Sequence, residues 1–250
     1  MRLDDVIIVL ARPSEPGNTG AVCRAMKNMG LRRLRLASPE PGIPLQDEGS
    51  SLEKLLARAI HAADIWNGAE HFATLKEALV DCSISVGTSR RRGRRRKSNT
   101  LGPRELAEFL KPKNGRAAIV FGNERTGLNR EELELCNMAS HIPVSLEFPS
   151  LNLSHAVQIY AYELYQTLDK SINEAQGCRA VPGQWVPMTA AEIDGLVKKT
   201  SDSLASLGFY KYPGREDQER FLRDLTARAG LSLSEGKYLH NIIAKAWRLA

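Results

Sequence analysis

Four short segments of the chain combine glycine with hydroxyl, amide and charged side chains. They are EPGNTGAVCRA, GTSR, FGNERTGL and FPSLNLSHA, and none contains a GxGxxG dinucleotide motif, a GxxxxGK(S/T) phosphate loop or a GxSxG nucleophile elbow. Each segment alone is more typical of an ordinary turn or helix cap than of a site. Together they are candidates for one ligand site, provided that the fold brings them to the same place.

A cluster of positive charge follows the second of these segments. Seven of the eight residues from 90 to 97 are Arg or Lys. Removing these seven from the 35 Lys and Arg leaves 28, against 29 Asp and Glu, so the rest of the chain is close to neutral. A local cluster of positive charge favours one docking point for a polyanion over non-specific binding across the whole surface. A solvated loop or a localisation signal is the alternative interpretation.

The chain lacks the sequence features of membrane, secreted and metal-binding proteins. It has no apolar run near the ~20 residues that a membrane span needs, and its amino-terminal segment has no small-residue cleavage site. The four cysteines form no CxxC pair, and the five histidines show no ligand spacing such as HExxH. We therefore expect a cytoplasmic protein without disulfides and without a bound metal.

Apolar and helical patterns alternate from residue 6 to residue 169. Residues 6–11, VIIVLA, are a continuous apolar run, which is typical of a strand buried on both faces. Further strands are predicted at 31–37, 81–88, 116–122 and 140–144, and helices at 51–63, 103–110, after Asn129 and at 152–169. A glycine-rich turn at 17–20 leads into a helix that ends at Gly30.

This alternation predicts an α/β fold with a mainly parallel sheet flanked by helices. In such sheets, ligands bind at the loops that leave the carboxyl ends of the strands. The loops in question are 12–20, 88–100, 122–128 and 145–151, and each overlaps one of the four polar segments.

The pattern changes near residue 171. Residues 171–187 have the glycine and proline content of a linker, and the segment from 188 to 250 contains three stretches with helical periodicity. Thr189 and Glu192 match a capping box that opens the first of three helices, which the pattern places at about 189–207, 215–229 and 233–248. We therefore expect an α/β domain at 1–170, a linker at 171–187 and an all-helical C-terminal extension at 188–250.

In their order and spacing, GNTGAVCRAM, GTSRR, IVFGNERTGL and PSLNLSHAVQI resemble the three motifs of the SpoU/TrmH branch of the SPOUT RNA methyltransferases. The resemblance is greatest to the TrmJ-like tRNA 2'-O-methyltransferases and covers residues from about 5 to 169. It implies a SPOUT fold with a C-terminal deep trefoil knot, a homodimer, and binding of S-adenosylmethionine (SAM). Pattern reasoning alone would not propose a knot, because knots are almost absent from proteins.

The resemblance also implies roles for individual residues. SAM contacts fall on small, polar or apolar positions that can enclose an adenine and offer it backbone groups: Thr88, Ser89, Arg90, Gly122, Ile142, Pro149, Ser150 and Leu151. Catalytic positions are Asn18, Arg24, Glu124, Ser150 and Asn152. The charged residues beyond the SAM loop are candidates for contact with the RNA backbone: Arg91, Arg92, Arg94, Arg95, Arg96 and Lys97.

Two of the implied catalytic residues leave alternatives open. The family gives the Arg24 position the role of base or of activator of the ribose hydroxyl. An arginine pKa is ~12.5 or higher, so a neutral guanidine that could act as a base is costly to form. We therefore prefer a role in which the charged guanidinium binds the target phosphate through paired N–H groups, as a fork, and stabilises the developing alkoxide. Glu124 could orient Arg24, Asn18 or the cofactor, or could only cap a surface turn.

The resemblance implies tRNA as the substrate, with nucleotide 32 of the anticodon loop as the target. The partners expected are therefore RNA and a second copy of the chain, with no membrane and no DNA. Two other functions remain open from the sequence: the same reaction on ribosomal RNA, and an RNA-binding protein whose cofactor site is inactive.

Overall fold

The computed structural model describes residues 1–44, 49–89, 100–145, 147–169, 186–206, 208–210 and 214–246. Within them lie seven strands: β1 Val6–Ala11, β2 Arg33–Ala37, β3 Glu70–Phe72, β4 Ile84–Thr88, β5 Thr100–Leu101, β6 Ala117–Phe121 and β7 Met138–Ser140. They form one sheet in the order β3-β2-β1-β6-β4-β7-β5, and each described pairing is parallel. The predicted α/β fold with a mainly parallel sheet is thus confirmed.

Ten α-helices accompany the strands in the described ranges. They are α1 Pro16–Asn28, α2 Ser50–Ala59, α3 Ala63–Asn67, α4 Leu75–Leu79, α5 Pro103–Leu110, α6 Arg130–Leu135, α7 Leu153–Leu168, α8 Ala190–Ser206, α9 Arg215–Ala229 and α10 Leu233–Ala246. The first seven lie on the two faces of the sheet, where they cover its apolar side chains. Among the described helices, none is both long and apolar enough to cross a membrane.

Strand β1 shows why its sequence is apolar throughout. Successive side chains of a strand point to opposite faces. Accordingly Val6, Ile8 and Leu10 pack in one cluster with α1, α2, α5 and α7. Ile7 and Val9 pack in a second cluster with α4 and α6. Because both faces of β1 are buried, neither can carry a polar side chain at low cost.

The helix after β1 begins earlier than predicted. Pro16 occupies its first turn, so Gly17 and Gly20 lie inside α1 and not in a turn before it. At Gly20, an added Cβ atom would lie 2.0 Å from the backbone oxygen of Leu55, so the missing side chain lets α2 pack directly on α1. Gly30 follows the helix with φ +68, as its predicted role as a C-terminal cap requires.

Three other predictions differ from the structure. The helix predicted at 51–63 is two helices, α2 and α3, because the backbone at Ile60 turns to φ +54. The strand predicted at 140–144 is β7, which ends at Ser140, and Pro143 could not donate to a sheet ladder. The pattern also missed β3, β5 and α4, which are all short.

The C-terminal helices contact the edge of the sheet where β4 begins. The backbone N–H of Ala190 donates to the Cys82 carbonyl at 2.8 Å, and the Ser83 hydroxyl donates to the Pro187 carbonyl at 3.2 Å. Glu192 and Thr189 form the predicted capping box. A separate small apolar cluster joins α8 and α9. These helices therefore lie at the amino edge of the sheet, opposite the edge where ligands bind in α/β folds.

Candidate functional site

One cavity of about 360 Å³ opens at the carboxyl ends of β4, β6 and β7. Its lining includes seven of the eight residues predicted to contact a cofactor, namely Thr88, Ser89, Gly122, Ile142, Pro149, Ser150 and Leu151. The eighth, Arg90, lies outside the described residues. The fold thus brings together three of the four polar segments, and the cavity size is typical of a small-molecule site.

Hydrogen bonds between neighbouring strands hold the floor of the cavity. The Thr88 hydroxyl donates to the Val120 carbonyl at 2.9 Å, and the Ser89 N–H donates to the Ser140 carbonyl at 2.9 Å. The Tyr160 hydroxyl donates to the Ser140 hydroxyl at 2.7 Å, which donates in turn to the Leu101 carbonyl. Burial raises the pKa of Tyr160, so this phenol stays protonated and serves as a donor.

The loop between β6 and α6 forms one wall, and two glycines set its shape. An added Cβ atom at Gly122 would lie 2.1 Å from both the Gly127 carbonyl carbon and the Leu128 nitrogen. Gly127 itself has φ +68, a conformation that L side chains rarely adopt. The loop therefore folds back on itself so tightly that a side chain at Gly122 would move the wall, and a side chain at Gly127 would strain its backbone.

Asn123 is the hydrogen-bonding centre of this wall and is almost fully buried. Its side-chain oxygen accepts from the N–H groups of Arg125 and Thr126 at 3.0 and 3.3 Å. Its side-chain nitrogen donates to the Arg12 carbonyl at 2.8 Å and to a Glu40 carboxylate oxygen at 3.1 Å. The wall is thus attached to the loop that follows β1.

Glu124 makes a second attachment to that loop. Its carboxylate accepts from the N–H and hydroxyl of Ser14 at 3.1 and 2.9 Å, and from the N–H of Glu15 at 3.2 Å. Through these contacts Glu124 holds the turn that precedes α1. Glu124 also lines the cavity, so its role in orienting the cofactor stays a prediction. Among the described contacts, the Glu124 carboxylate has no hydrogen bond to Asn18 or Arg24.

Two residues predicted to be catalytic meet at the edge of the cavity. The side-chain nitrogen of Asn152 donates to the Asn18 side-chain oxygen at 3.1 Å. The oxygen of Asn152 accepts from the Ser154 N–H and so caps α7. This single amide joins α7, next to the Pro149–Leu151 wall, to the first turn of α1.

Arg24 lies farther along α1, about 9 Å from Asn18 along the axis at 1.5 Å per residue. It is exposed, and it does not belong to the residues that line the cavity. Thus the structure joins Asn18 to Asn152 but leaves Arg24 outside the cavity of its own chain. Residues 90–99, with Arg91 to Lys97, lie outside the described part, so their predicted contact with RNA stays a prediction.

Sequence reasoning missed much of the lining. The additional residues are Phe121, Asn123, Arg125, Thr126, Gly127, Leu128, Asn129, His141, Val144, Leu153, Ala156 and Tyr160. Most of them flank positions that were predicted. The segment FGNERTGLN lines the cavity with all nine of its residues, from Phe121 to Asn129. The sequence signal for the cavity lining was therefore the whole segment FGNERTGLN, and not only its most motif-like residues.

Comparison with known proteins places the chain among RNA-modifying enzymes. The model of the "SpoU rRNA Methylase family" matches residues 5–162. The tRNA (cytidine/uridine/adenosine-2'-O-)-methyltransferase TrmJ of Pseudomonas aeruginosa is 36% identical over 258 residues, which cover 99% of this chain and 96% of that protein. The tRNA (cytidine/uridine-2'-O-)-methyltransferase TrmJ of Salmonella typhimurium is 42% identical over 97% of this chain and 96% of its own length.

The fold is also similar to that of solved structures. The crystal structure of TrmJ from Z. mobilis has a TM-score of 0.71 and 28% identity, and the match covers 96% of this chain and 98% of that one. Both kinds of similarity extend over the C-terminal helices as well as the sheet.

Proposed function

The chain belongs to the SpoU methylase family, and on that premise we propose that it is a SAM-dependent tRNA ribose 2'-O-methyltransferase acting on cytidine or uridine at nucleotide 32. The family match confirms the resemblance that the motifs indicated. The observation that supports the proposal most directly is the single cavity lined by Thr88, Gly122 and Ser150, with Asn18 and Asn152 bonded at its edge.

The cavity suits SAM on the chemistry of its lining. Apolar side chains such as Phe121 and Ile142 can enclose an adenine, and Gly122 lets the backbone approach closely. The Glu124 carboxylate already accepts three hydrogen bonds from the loop before α1. When bound, SAM supplies a methyl group whose transfer to the 2'-oxygen breaks a C–S bond, forms a C–O bond and releases the hydroxyl proton.

The chain's own residues would position the ribose and handle charge. Arg24 can bind a phosphate through two parallel N–H groups and stabilise negative charge on the 2'-oxygen. Ser150 lines the cavity, and Asn152 fixes Asn18 beside it, so these polar groups can orient the hydroxyl toward the cavity. The hydroxyl proton would pass to water or to a base that the RNA complex supplies.

We further propose that the enzyme is a homodimer, because Arg24 is exposed and lies outside the cavity of its own chain. In this arrangement Arg24 of one copy faces the cavity of the other. Mixing the inactive variants Arg24→Ala and Gly122→Ala by co-expression should then restore about a quarter of the wild-type activity, since half of the dimers would contain one intact site. Activity that stays at the level of the separate variants would show that each site belongs to one chain.

The trefoil knot, the domain division at 1–170, 171–187 and 188–250, and a cytoplasmic location are part of the same proposal. The separate apolar cluster of the C-terminal helices supports the division. The free thiols of Cys23, Cys82 and Cys136 are compatible with a reducing compartment.

Replacing Arg92, Arg94, Arg95 and Arg96 by alanine should weaken tRNA binding and leave SAM affinity unchanged. Each phosphate contact contributes about 1 to the slope of log K against log salt, so the slope should fall by up to about 4. Filter binding at several salt concentrations measures this. Lysine at the same four positions is the control and should keep most of the slope, because phosphate attraction depends on charge. An unchanged slope for the alanine variant would assign the run to a solvated loop.

Two measurements separate the proposal from its alternatives. Titration with SAM tests the enzyme against a pure RNA-binding protein: an absence of binding at millimolar SAM would exclude catalysis. Ribosomal RNA remains the second candidate substrate, because the matching family is described by rRNA methylation. Relatives that match nearly the whole chain are named for tRNA, which is why tRNA is proposed first.

A further inference from the structure

Arg12, immediately after β1, makes an ion pair with Glu132 across the fold that no motif predicted. Its Nε donates to one carboxylate oxygen of Glu132 at 2.6 Å, and its Nη2 donates to the other at 3.0 Å. The two residues are 120 positions apart. Only 29% of the Arg12 side chain and 11% of the Glu132 side chain are exposed, so water screens this pair less than a surface pair.

The ion pair is bonded directly to the cavity wall. Arg12 Nη2 also donates to the Gly127 carbonyl at 3.1 Å, and the Glu132 carboxylate accepts from the Asn129 N–H at 2.7 Å. Gly127 and Asn129 both line the cavity. The pair therefore holds two backbone groups of the wall from its outer side.

The backbone of Arg12 supports the same wall. Its carbonyl accepts from the Asn123 side chain at 2.8 Å, and its N–H donates to the Ala37 carbonyl at 2.8 Å. The residue has φ +51, a conformation that costs free energy for a side chain other than glycine. The hydrogen bond to Glu132 raises the pKa of Arg12, so the guanidinium stays charged at every accessible pH.

We propose that Arg12 is a positioning residue for the cofactor: through Glu132 and the Gly127 carbonyl it sets the shape of the 127–129 wall and thereby the affinity for SAM. The proposal rests on the proposed function, in which this cavity binds SAM. Arg12 itself does not line the cavity, so it acts only through the wall. Without the Arg12 side chain, the largely buried Glu132 carboxylate keeps, among the described contacts, only its hydrogen bond from the Asn129 N–H, and the Gly127 carbonyl loses the hydrogen bond from Arg12.

The variant Arg12→Gln tests the proposal by isothermal titration with SAM and by methylation kinetics on tRNA. We expect the Kd and KM for SAM to rise about tenfold or more, because hydrogen bonds to a charged group are lost. The kcat at saturating SAM and the Kd for tRNA should stay within about twofold, because the groups at the ribose are untouched. A general loss of folding would instead lower kcat and the melting temperature together with SAM affinity.

Three further variants make the test specific. Arg130→Gln removes an exposed ion pair with Glu134 on the same helix as Glu132, and it should leave SAM affinity unchanged. Arg12→Lys keeps the charge but loses the fork, so its Kd should lie between wild type and Arg12→Gln. Adding Glu132→Gln to Arg12→Gln should cost less than the two single changes combined, because both act through one pair.

The outcomes distinguish this proposal from the function on which it rests. If the wild-type protein does not bind SAM, the proposed function fails and the positioning role fails with it. If the wild type binds SAM and Arg12→Gln binds it equally well, only the positioning role is overturned. A fall in kcat at saturating SAM with an unchanged Kd would also overturn it.

Discussion

Changing Arg24 to alanine is expected to lower the kcat of ribose methylation by a factor of about 100 to 1,000, as the loss of one positioned donor to a developing oxyanion does in other enzymes. SAM affinity should not change, because Arg24 lies outside the cavity lining. The Kd for tRNA should rise only modestly, since one phosphate contact among several is lost. Single-turnover kinetics at saturating SAM and tRNA measure the effect.

Arg24→Lys separates the two roles that arginine could have. Lysine keeps the positive charge but cannot bind a phosphate through two parallel N–H groups, so we expect kcat to fall nearly as far as with alanine. Near-normal kcat for the lysine variant at neutral pH would contradict the interpretation that Arg24 positions the phosphate through two parallel N–H groups. The matched control is Arg32→Ala, an exposed arginine just before β2 at the amino edge of the sheet, which should keep wild-type kinetics.

Changing Gly122 to alanine is expected to abolish SAM binding in practice, with a rise in Kd of about 100-fold or more. The added Cβ atom would lie 2.1 Å from two backbone atoms of Gly127 and Leu128, which cannot rotate away as a side chain can. The wall must therefore move into or away from the cavity. Isothermal titration measures the loss, and circular dichroism verifies that the variant folds.

Gly102→Ala is the matched control for this substitution. Gly102 has φ −72, and an added Cβ atom there would meet only the end of the Glu105 side chain at 3.5 Å. This variant should bind SAM as the wild type does. A Gly122→Ala protein that folds and keeps wild-type affinity would show that the wall at 122–128 does not contact the cofactor.

The central strands of the fold could be predicted because burial on both faces requires apolar residues throughout. β1 and β6 lie between other strands and are buried on both faces, so their sequences are apolar throughout. β3, with three residues at one edge of the sheet, is partly exposed and has no such pattern. The shift of β7 has another origin: its three residues are buried, but the strand is defined by its pairing with β4 and β5 and not by an apolar run of its own.

The site was predictable where a residue belongs to a local motif. Gly122, Ser150 and Thr88 are far apart in sequence, yet each lies in a recognisable segment, and the carboxyl edge of the sheet brings them together. Arg12 and Glu132 belong to different segments and have no periodic relation, so only the three-dimensional structure shows that they pair. The same is true of Glu124 and Ser14, whose contact joins the cavity wall to the loop before α1.

The most direct test of the proposed function is nucleotide-resolved mapping of 2'-O-methylation in total RNA from cells with and without the protein. We predict that methylation at nucleotide 32 of a set of tRNAs is lost without the protein and returns with the wild-type chain but not with Arg24→Ala. Unchanged tRNA with a methylation lost from ribosomal RNA would contradict it.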